Sequence, residues 1–182
     1  SELTDFNEQY KLNLTFISEN GSSIHGLNLI NKDLPDKISL SRPVDQIISI
    51  YNEIIPNDLK QKINFILKLN VKEQKKIFGL PQDKMILAKN RNYSLPIQFK
   101  GNEIEKNEFV KIINDVGLTV QTGGRIMNIC DNVNKSKAML KTLQLISKVL
   151  DDEIITIGVG DNENDIEMIK QAHYPCLVRN EN

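Results

Sequence analysis

Cysteine is scarce in this 182-residue chain, and its two cysteines, Cys130 and Cys176, share no short metal-ligand spacing. The lack of such spacing, together with the lack of a signal peptide, favours reduced thiols over a disulfide or a metal-binding role. The sequence also contains no signal peptide and no apolar run long enough to cross a bilayer. We therefore expect a cytoplasmic protein.

Neither sign of charge is in excess, because 23 Lys and Arg residues oppose 24 Asp and Glu residues. Such a chain has no overall field that would gather nucleic acid or an anionic membrane, so we expect neither as a partner. Apolar residues make up 40% of the sequence and charged residues 26%, which is typical of a globular protein with a packed core.

Hydrophobic spacing predicts both helices and strands. The helices are expected at residues 1–11, 44–55, 59–67, 71–78, 106–116, 135–149 and 164–171. The strands are expected at residues 14–17, 23–25, 85–88, 96–99, 154–159 and 174–178, with a hairpin over residues 118–131 that turns at Gly123-Gly124. The polar, proline-containing residues 31–43 are predicted to connect two substructures.

The order of these elements predicts an inserted domain. Residues 44–131 form an antiparallel α+β pattern, whereas the flanking residues carry pieces of a parallel α/β layer. Ile154–Val159, for example, is a continuous apolar run typical of a buried parallel strand. We therefore predict an α/β fold in which a domain of residues 44–131 interrupts a core made of residues 1–43 and 132–182.

The strongest chemical signal follows that apolar run, where Gly160-Asp161 precedes a helix. Open parallel sheets place ligands at the carboxyl ends of their strands. Asp161 and Asp165 are four positions apart, so a tight turn can direct both carboxylates into one crevice, and Mg²⁺ prefers oxygen ligands of this kind. The alternative is an acidic loop that only caps the helix.

Lys135 is the second candidate, at the start of the helix that precedes this strand. A lysine there can neutralise a phosphoryl group, to which helix N-terminal amides add a positive end. The alternative is an ordinary surface lysine on a polar turn. His25 and His173 lack metal-ligand spacing, and we assign them no role.

The segment Gly160-Asp161-Asn-Glu-Asn164-Asp165, with Lys135 upstream, resembles two motifs of the phosphatases of the haloacid dehalogenase (HAD) superfamily. The resemblance is to members with an α+β cap inserted into the core. It implies that Asp161 is a direct ligand of a Mg²⁺ cofactor, that Asp165 orients the metal shell and that Asn164 supports it. It further implies that Lys135 stabilises both nucleophile and phosphate, and that catalysis proceeds through an aspartyl-phosphate.

Other segments are similar to those of mannosyl-3-phosphoglycerate phosphatases within this superfamily. They are Phe16-Ile-Ser-Glu-Asn20-Gly21-Ser-Ser-Ile24, Arg91-Asn-Tyr93-Ser94-Leu-Pro96 and Gly123-Gly124-Arg125. The similarity implies a small-molecule sugar phosphate as substrate, bound by Asn20, Gly21, Arg91, Tyr93, Ser94, Gly123, Gly124 and Arg125. A guanidinium fork suits the glycerate carboxylate, although each arginine can equally be a solvent-exposed partner of a nearby acid. Leu95 and Asn128 depart from the pattern of that family.

No Asp-x-Asp motif occurs in the chain, although a HAD phosphatase needs one for its nucleophile. The resemblance implies that the first core strands and the nucleophile lie upstream of Ser1. This chain alone would then be inactive and would need the missing N-terminal segment or another protomer. Two rival hypotheses stay open: a phosphatase for another sugar phosphate, such as glucosyl-3-phosphoglycerate or a hexose phosphate, and a non-catalytic HAD-like binding protein.

Overall fold

The computed structural model describes residues 2–78, 91–123 and 126–179. The helices in these ranges are α1 (Glu2–Gln9), α2 (Val44–Ile54), α3 (Asn57–Lys60), α4 (Val71–Phe78), α5 (Glu103–Asp115), α6 (Lys135–Ile146) and α7 (Glu163–Gln171). The strands are β1 (Phe16–Ser18), β2 (Ser23–His25), β3 (Lys37–Ser39), β4 (Ile63–Phe65), β5 (Ser94–Phe99), β6 (Leu118–Gly123), β7 (Ile126–Asp131), β8 (Ile157–Gly160) and β9 (Tyr174–Leu177). Short 3-10 turns occur at Glu19–Gly21, Leu27–Leu29 and Ile66–Lys68. No helix in the described ranges is long and apolar enough to cross a membrane.

The chain divides into two compact units. The first, here called the insert unit, consists of Ser41–Asn132 together with Glu2. The second, here called the flanking unit, consists of Leu3–Leu40 and Val133–Asn182. Apart from Glu2, the insert unit is therefore one continuous stretch of sequence that begins after residue 40 and ends before residue 133 of the flanking unit.

The insert unit is an antiparallel sheet covered on one face by helices. Its four described strands lie in the order β4-β5-β7-β6, with Ile97 opposite Met127 and Val120 opposite Ile129. Because side chains alternate along a strand, one face of the sheet is apolar and packs onto α2 and α5. The buried core of this unit is Ile47, Tyr51, Ile55, Leu59, Ile63, Leu95, Ile97, Phe109, Ile113, Leu118, Met127 and Ile129.

An ion pair joins the two ends of the insert unit. The Asp131 carboxylate accepts from the Arg42 backbone N–H at 2.5 Å and from its guanidinium Nε at 2.8 Å. The same guanidinium donates to the Gly117 carbonyl at 3.3 Å. Charge-assisted contacts of this kind are stronger than neutral hydrogen bonds. The place where the chain enters this unit and the place where it leaves are therefore held together.

The flanking unit contains two small sheets. The antiparallel sheet β1-β2-β3 buries Ile24 with Leu27 and Leu34, against which Leu145 of α6 also packs. The parallel pair β8-β9 aligns Ile157 with Tyr174, and α7 packs on this pair. This parallel pair and the antiparallel insert confirm the predicted α/β class.

Two predictions of local structure are wrong. A helix is predicted at residues 59–67, but α3 ends at Lys60, β4 follows it with Ile63 opposite Phe99, and only a 3-10 turn begins at Ile66. Ile63 and Phe65 also fit the two-residue alternation of a strand, and pairing with β5 decides between the two periodicities. Lys37–Ser39 is predicted to lie in a connection but forms β3 on the edge of β2. The predicted strand at residues 85–88 lies outside the described residues.

Strand β8 is parallel as predicted, but its apolar side chains are not buried. Ile157 is 71% exposed and Val159 54% exposed. The other face of the strand carries Gly158, where a methyl group would lie 3.0 Å from Cα of Ile169 in α7. Helix α7 therefore approaches closely on the glycine face, while the other face is open in the described part of this unit.

Candidate active site

Gly160 ends β8 and allows a tight turn over residues 160–165, here called the acidic turn. A methyl group at Gly160 would lie 2.4 Å from Cβ of Asp165, closer than real Cβ contacts allow. Only glycine therefore lets Asp165, in the first turn of α7, lie directly against the end of the strand. Asp161 follows Gly160 and is exposed, whereas Asp165 is buried.

The Asp165 carboxylate and the Lys135 ammonium form an ion pair across the flanking unit. Lys135 Nζ donates to Asp165 Oδ1 at 2.5 Å, although the two residues are 30 positions apart in sequence. The Asp165 side chain is 7% exposed and that of Lys135 is 34% exposed. The ammonium is thus held by a buried carboxylate on one side and is open to solvent on the other. The contacts of Lys135 exceed those expected of an unpaired surface lysine.

The second carboxylate oxygen of Asp165 faces the backbone of the turn. Oδ2 lies 3.4 Å from the amide nitrogens of Asp161 and Asn162, both of which point their N–H groups at it. Contacts this long are weak hydrogen bonds. Asp165 therefore caps the start of α7, as expected of an acidic loop that only caps the helix. In addition, it forms the ion pair with Lys135.

These contacts lower the pKa of Asp165. Burial is the largest single influence and by itself raises that pKa, but the hydrogen bond from Lys135, its positive charge and the two backbone amides together outweigh burial. The pKa of the Asp165 carboxyl consequently lies below its ordinary value. The carboxylate is ionised at neutral pH and balances the charge of Lys135.

Asp161 is oriented by its neighbour. Asn162 Nδ2 donates to Asp161 Oδ1 at 2.6 Å, and Asn162 is the N-cap residue of α7. Asn164, predicted to support a metal, is exposed in the first turn of that helix. Asp161 therefore presents a carboxylate to solvent at the carboxyl end of β8, beside the Lys135–Asp165 pair.

The turn Glu19–Gly21 lies against the start of α6. Glu19, Asn20 and Gly21 all have positive φ, at 47°, 55° and 105°. A methyl group at Gly21 would lie 2.2 Å from the carbonyl oxygen of Asn134, the N-cap residue of α6. Asn20 and Gly21, two predicted substrate-binding residues, are thus on a strained turn next to the helix that begins at Lys135.

Replacing Gly21 by alanine is expected to destabilise the protein by about 2–4 kcal/mol, because a side chain must enter a left-handed conformation and displace backbone. Urea denaturation followed by circular dichroism measures the change. Gly117→Ala is the matched control, since Gly117 has φ of +76° but no heavy atom within 4 Å of the position that a methyl group would take. That variant should cost only about 1–2 kcal/mol. Equal costs for the two variants would contradict close packing at Gly21.

The remaining predicted substrate residues belong to the insert unit. Arg91 Nη1 donates to Ser94 Oγ at 3.2 Å, so these two residues are brought together. Ser94 and Tyr93 are buried, and Gly123 is the last residue of β6, opposite Ile126 of β7. Gly124 and Arg125 lie outside the described residues. The predicted hairpin of β6 and β7 is confirmed by its antiparallel pairing.

Sequence reasoning did not identify three residues that support this site. Asn162 orients Asp161, Asn134 Nδ2 donates to Glu167 Oε2 at 2.6 Å, and Ser136 Oγ donates to Gln171 Oε1 at 2.8 Å. The last two bonds tie α6 to α7. Asn162 carries a recognisable signal, an Asx residue three positions before an acidic one at a helix start. The side-chain bonds between the helices carry no such signal, because they depend on tertiary packing.

The sequence model of the family described as haloacid dehalogenase-like hydrolase matches residues 1–182. Glucosyl-3-phosphoglycerate/mannosyl-3-phosphoglycerate phosphatases of Persephonella marina and Methanococcoides burtonii are 27% and 28% identical, over 90% and 98% of this chain. Mannosyl-3-phosphoglycerate phosphatase of Pyrococcus furiosus is 27% identical over 95% of this chain. A crystal structure from Thermotoga maritima has a similar fold, with a TM-score of 0.53, 19% identity and coverage of 94% of this chain and 67% of that one.

The chain spans 62%, 68% and 71% of the lengths of these three phosphatases. The family match, in contrast, extends over all 182 residues. It confirms the resemblance to this family that the sequence around Asp161 and Lys135 suggested. The chain is a member of the haloacid dehalogenase-like hydrolase family.

Proposed function

We propose that the full-length protein is a Mg²⁺-dependent phosphatase that hydrolyses a sugar-phosphate monoester, with mannosyl-3-phosphoglycerate as its first candidate substrate. The observation that carries this proposal is the Lys135–Asp165 ion pair at 2.5 Å, beside exposed Asp161 at the carboxyl end of β8. A fixed cation next to an exposed carboxylate suits a phosphate and a divalent metal ion bound side by side. The names of the similar phosphatases support the substrate class.

The donor set fits Mg²⁺ as a partial coordination shell. Asp161 offers an exposed carboxylate, whereas both oxygens of Asp165 already accept hydrogen bonds. In the described residues no group of three or more His, Cys, Asp or Glu side chains is placed to hold a metal. Mg²⁺ bound to phosphates commonly takes only one or two carboxylates and fills its shell with water and phosphate oxygens. We infer that Asp161 would bind the ion directly, while Asp165, with Asn164, would orient its shell.

Each residue of the site would then have a separate part in the reaction. Mg²⁺, when bound, supplies Lewis-acid stabilisation of the phosphoryl oxygens. Lys135 places a second positive charge beside the phosphate, and Asp165 fixes the direction of that ammonium. Because these charges are in place before the substrate arrives, little reorganisation is needed as negative charge shifts in the transition state.

The insert unit is proposed as the cap that recognises the organic part of the substrate. Its Arg91 guanidinium donates to Ser94 Oγ at 3.2 Å, which fixes one edge of the planar fork. A guanidinium in fixed orientation can bind a carboxylate through two parallel hydrogen bonds, as the glycerate group would require. We propose the same role for Arg125, with Tyr93, Ser94, Gly123, Gly124, Asn20 and Gly21 completing the substrate contacts.

A panel of phosphate esters tests this function. Purified full-length protein is assayed for phosphate release with Mg²⁺, using mannosyl-3-phosphoglycerate, glucosyl-3-phosphoglycerate, mannose 6-phosphate and a simple aryl phosphate. We expect kcat/KM for the two glycosyl-phosphoglycerates to exceed that for the other esters by about 10²-fold, because only they present both a phosphate and a carboxylate. The aryl phosphate is the control for the bare phosphatase chemistry.

The second candidate substrate, glucosyl-3-phosphoglycerate, is favoured by the names of two similar phosphatases, which include both glycosyl esters. Equal turnover of both esters would indicate recognition of the glycerate rather than of the sugar. Phosphate release from none of the four esters would contradict the proposal. Binding of these esters without hydrolysis would favour the non-catalytic alternative.

A further inference from the structure

Three polar side chains lie within hydrogen-bonding distance of one another, in a triangle, where β1 and β2 meet their connecting turn. Ser23 Oγ lies 2.7 Å from His25 Nε2 and 2.8 Å from Ser18 Oγ, and Ser18 Oγ lies 3.2 Å from His25 Nε2. Ser18 and Ser23 are directly opposite one another in the strand register. His25 is two positions beyond Ser23 and therefore on the same face of β2. We call these three residues the neck triangle.

The neck triangle closes a turn with unusual backbone geometry. Glu19 and Asn20 have φ of 47° and 55°, values that side-chain-bearing residues seldom adopt. The turn is closed by the Ser22 N–H, which donates to the Ser18 carbonyl at 3.0 Å, and by Ser22 Oγ, which donates to the Glu19 carbonyl at 2.8 Å. A strained turn persists only where its surroundings over-determine it.

The far side of the turn contacts the helix of the candidate active site. The backbone of Gly21 packs so closely on Asn134 that a methyl group would lie 2.2 Å from its carbonyl oxygen. Asn134 caps α6 by accepting from the Lys137 N–H at 2.8 Å, and Lys135 is the first residue of that helix. A movement of the turn would therefore be transmitted directly to the residue that precedes Lys135.

His25 is itself held in a fixed orientation. Its imidazole is stacked on the Phe16 ring, with centroids 4.8 Å apart and an interplanar angle of 10°. Burial, with the nearby charge of Lys37 on β3, lowers the pKa of His25. A neutral imidazole can accept at Nε2 from a serine hydroxyl, which suits the short contact with Ser23.

We propose that His25 is a positioning residue, which acts through Ser18 and Ser23 to hold the Glu19–Gly21 turn against Asn134 and so fixes the start of the Lys135 helix. The effect that replacing His25 should have on turnover rests on the proposed phosphatase function. The effect that it should have on the turn is independent of that function. Sequence reasoning assigned His25 no role, because the two serines that bind it are separated from one another by the turn that they close.

Two matched variants of the full-length protein separate hydrogen bonding from packing. His25→Phe keeps a ring to stack on Phe16 but removes Nε2, whereas His25→Gln keeps a polar group near the position of Nε2. We expect His25→Phe to lower kcat by about 10–100-fold, the usual range for residues that support a site indirectly, with little change in KM. His25→Gln should recover most of that loss. His173→Phe, at the other histidine of the flanking unit, should leave kcat unchanged.

Amide hydrogen exchange supplies a readout that does not depend on activity. In His25→Phe we expect about 10-fold faster exchange at the amides of Ser22 and Lys137, with unchanged exchange in β8, β9 and the insert unit. Unchanged exchange at both amides would overturn the proposal, as would a uniform increase throughout the flanking unit. If the wild-type protein releases no phosphate, the proposed function fails, whereas the exchange comparison still decides whether His25 positions the turn.

Discussion

Replacing Asp161 by alanine in the full-length protein is expected to lower Mg²⁺-dependent phosphate release by at least about 10³-fold. The carboxylate is exposed at the carboxyl end of β8, and Asn162 Nδ2 orients it from 2.6 Å. Asp165 is buried and both its oxygens already accept hydrogen bonds, so it is less accessible to a metal ion than Asp161. Loss of Asp161 therefore removes the one carboxylate of this pair that is directed to solvent.

The effect of the substitution on metal binding can be measured separately from its effect on chemistry. Mg²⁺ should raise the melting temperature of the wild-type protein, since a ligand that binds only the folded state stabilises it. That increase should disappear in Asp161→Ala. Asp161→Asn keeps one oxygen ligand without the charge, so we expect partial activity that returns only at higher Mg²⁺ concentrations.

Asp152→Ala is the matched control, because Asp152 is an exposed carboxylate of the same unit that precedes β8. It should leave both turnover and the Mg²⁺-dependent shift in melting temperature unchanged. Full activity of Asp161→Ala, or an equal loss in Asp152→Ala, would contradict the metal assignment. Both results are read from the same phosphate-release assay and the same melting curves.

Sequence reasoning identified the acidic turn because all its determinants are local. Gly160 ends a strand, Asp161 follows it, and Asp165 lies in the first turn of a helix, so the spacing alone brings the two aspartates to one short segment. The lysine was harder to place. The resemblance to a known family implied that Lys135 belongs to the site, but its pairing with Asp165 was not predicted, because that pairing spans 30 positions and depends on how α6 packs on α7.

Elsewhere, long-range pairing decided what local patterns left ambiguous. The run Ile63-Asn-Phe65 fits both helix and strand periodicity, and its strand form exists because β5 is available as a partner. Dependence on strand pairing also explains why the neck triangle was not predicted. Ser18, Ser23 and His25 are ordinary polar residues in sequence, and only the antiparallel register of β1 and β2 makes them neighbours.

Replacing Lys135 by alanine is expected to reduce kcat for phosphate release by about 10²–10³-fold, the range found when one preorganised electrostatic group is removed from a site. Its ammonium is fixed 2.5 Å from Asp165 Oδ1 yet remains one-third exposed, so it can contact a phosphate without moving. Lys137→Ala is the matched control, because Lys137 is an exposed lysine in the same turn of α6. We expect it to keep near-normal kcat.

The same substitution should also destabilise the folded state by about 1–3 kcal/mol. It leaves the Asp165 carboxylate, 7% exposed, without its cationic partner, although partial exposure of Lys135 moderates the cost. The pKa of Asp165 is lowered in the folded protein, so the pair stabilises the fold fully above the unfolded value of about 4. That contribution is lost as the pH falls through the lower folded pKa. The stability difference between wild type and Lys135→Ala should accordingly be largest near neutral pH and shrink in acid.

The double variant Lys135→Ala/Asp165→Asn distinguishes a catalytic lysine from a structural one. Neutralising Asp165 removes the unpaired buried charge, so we expect urea denaturation at pH 7 to show part of the lost stability restored. Turnover should stay well below that of Asp165→Asn alone, the control for the loss of Asp165 itself, since the positive charge beside the phosphate is still absent. If kcat recovered in proportion to stability, Lys135 would serve only to hold α6 and α7 together. If Lys135→Ala alone kept full turnover, the ammonium would have no part in the reaction.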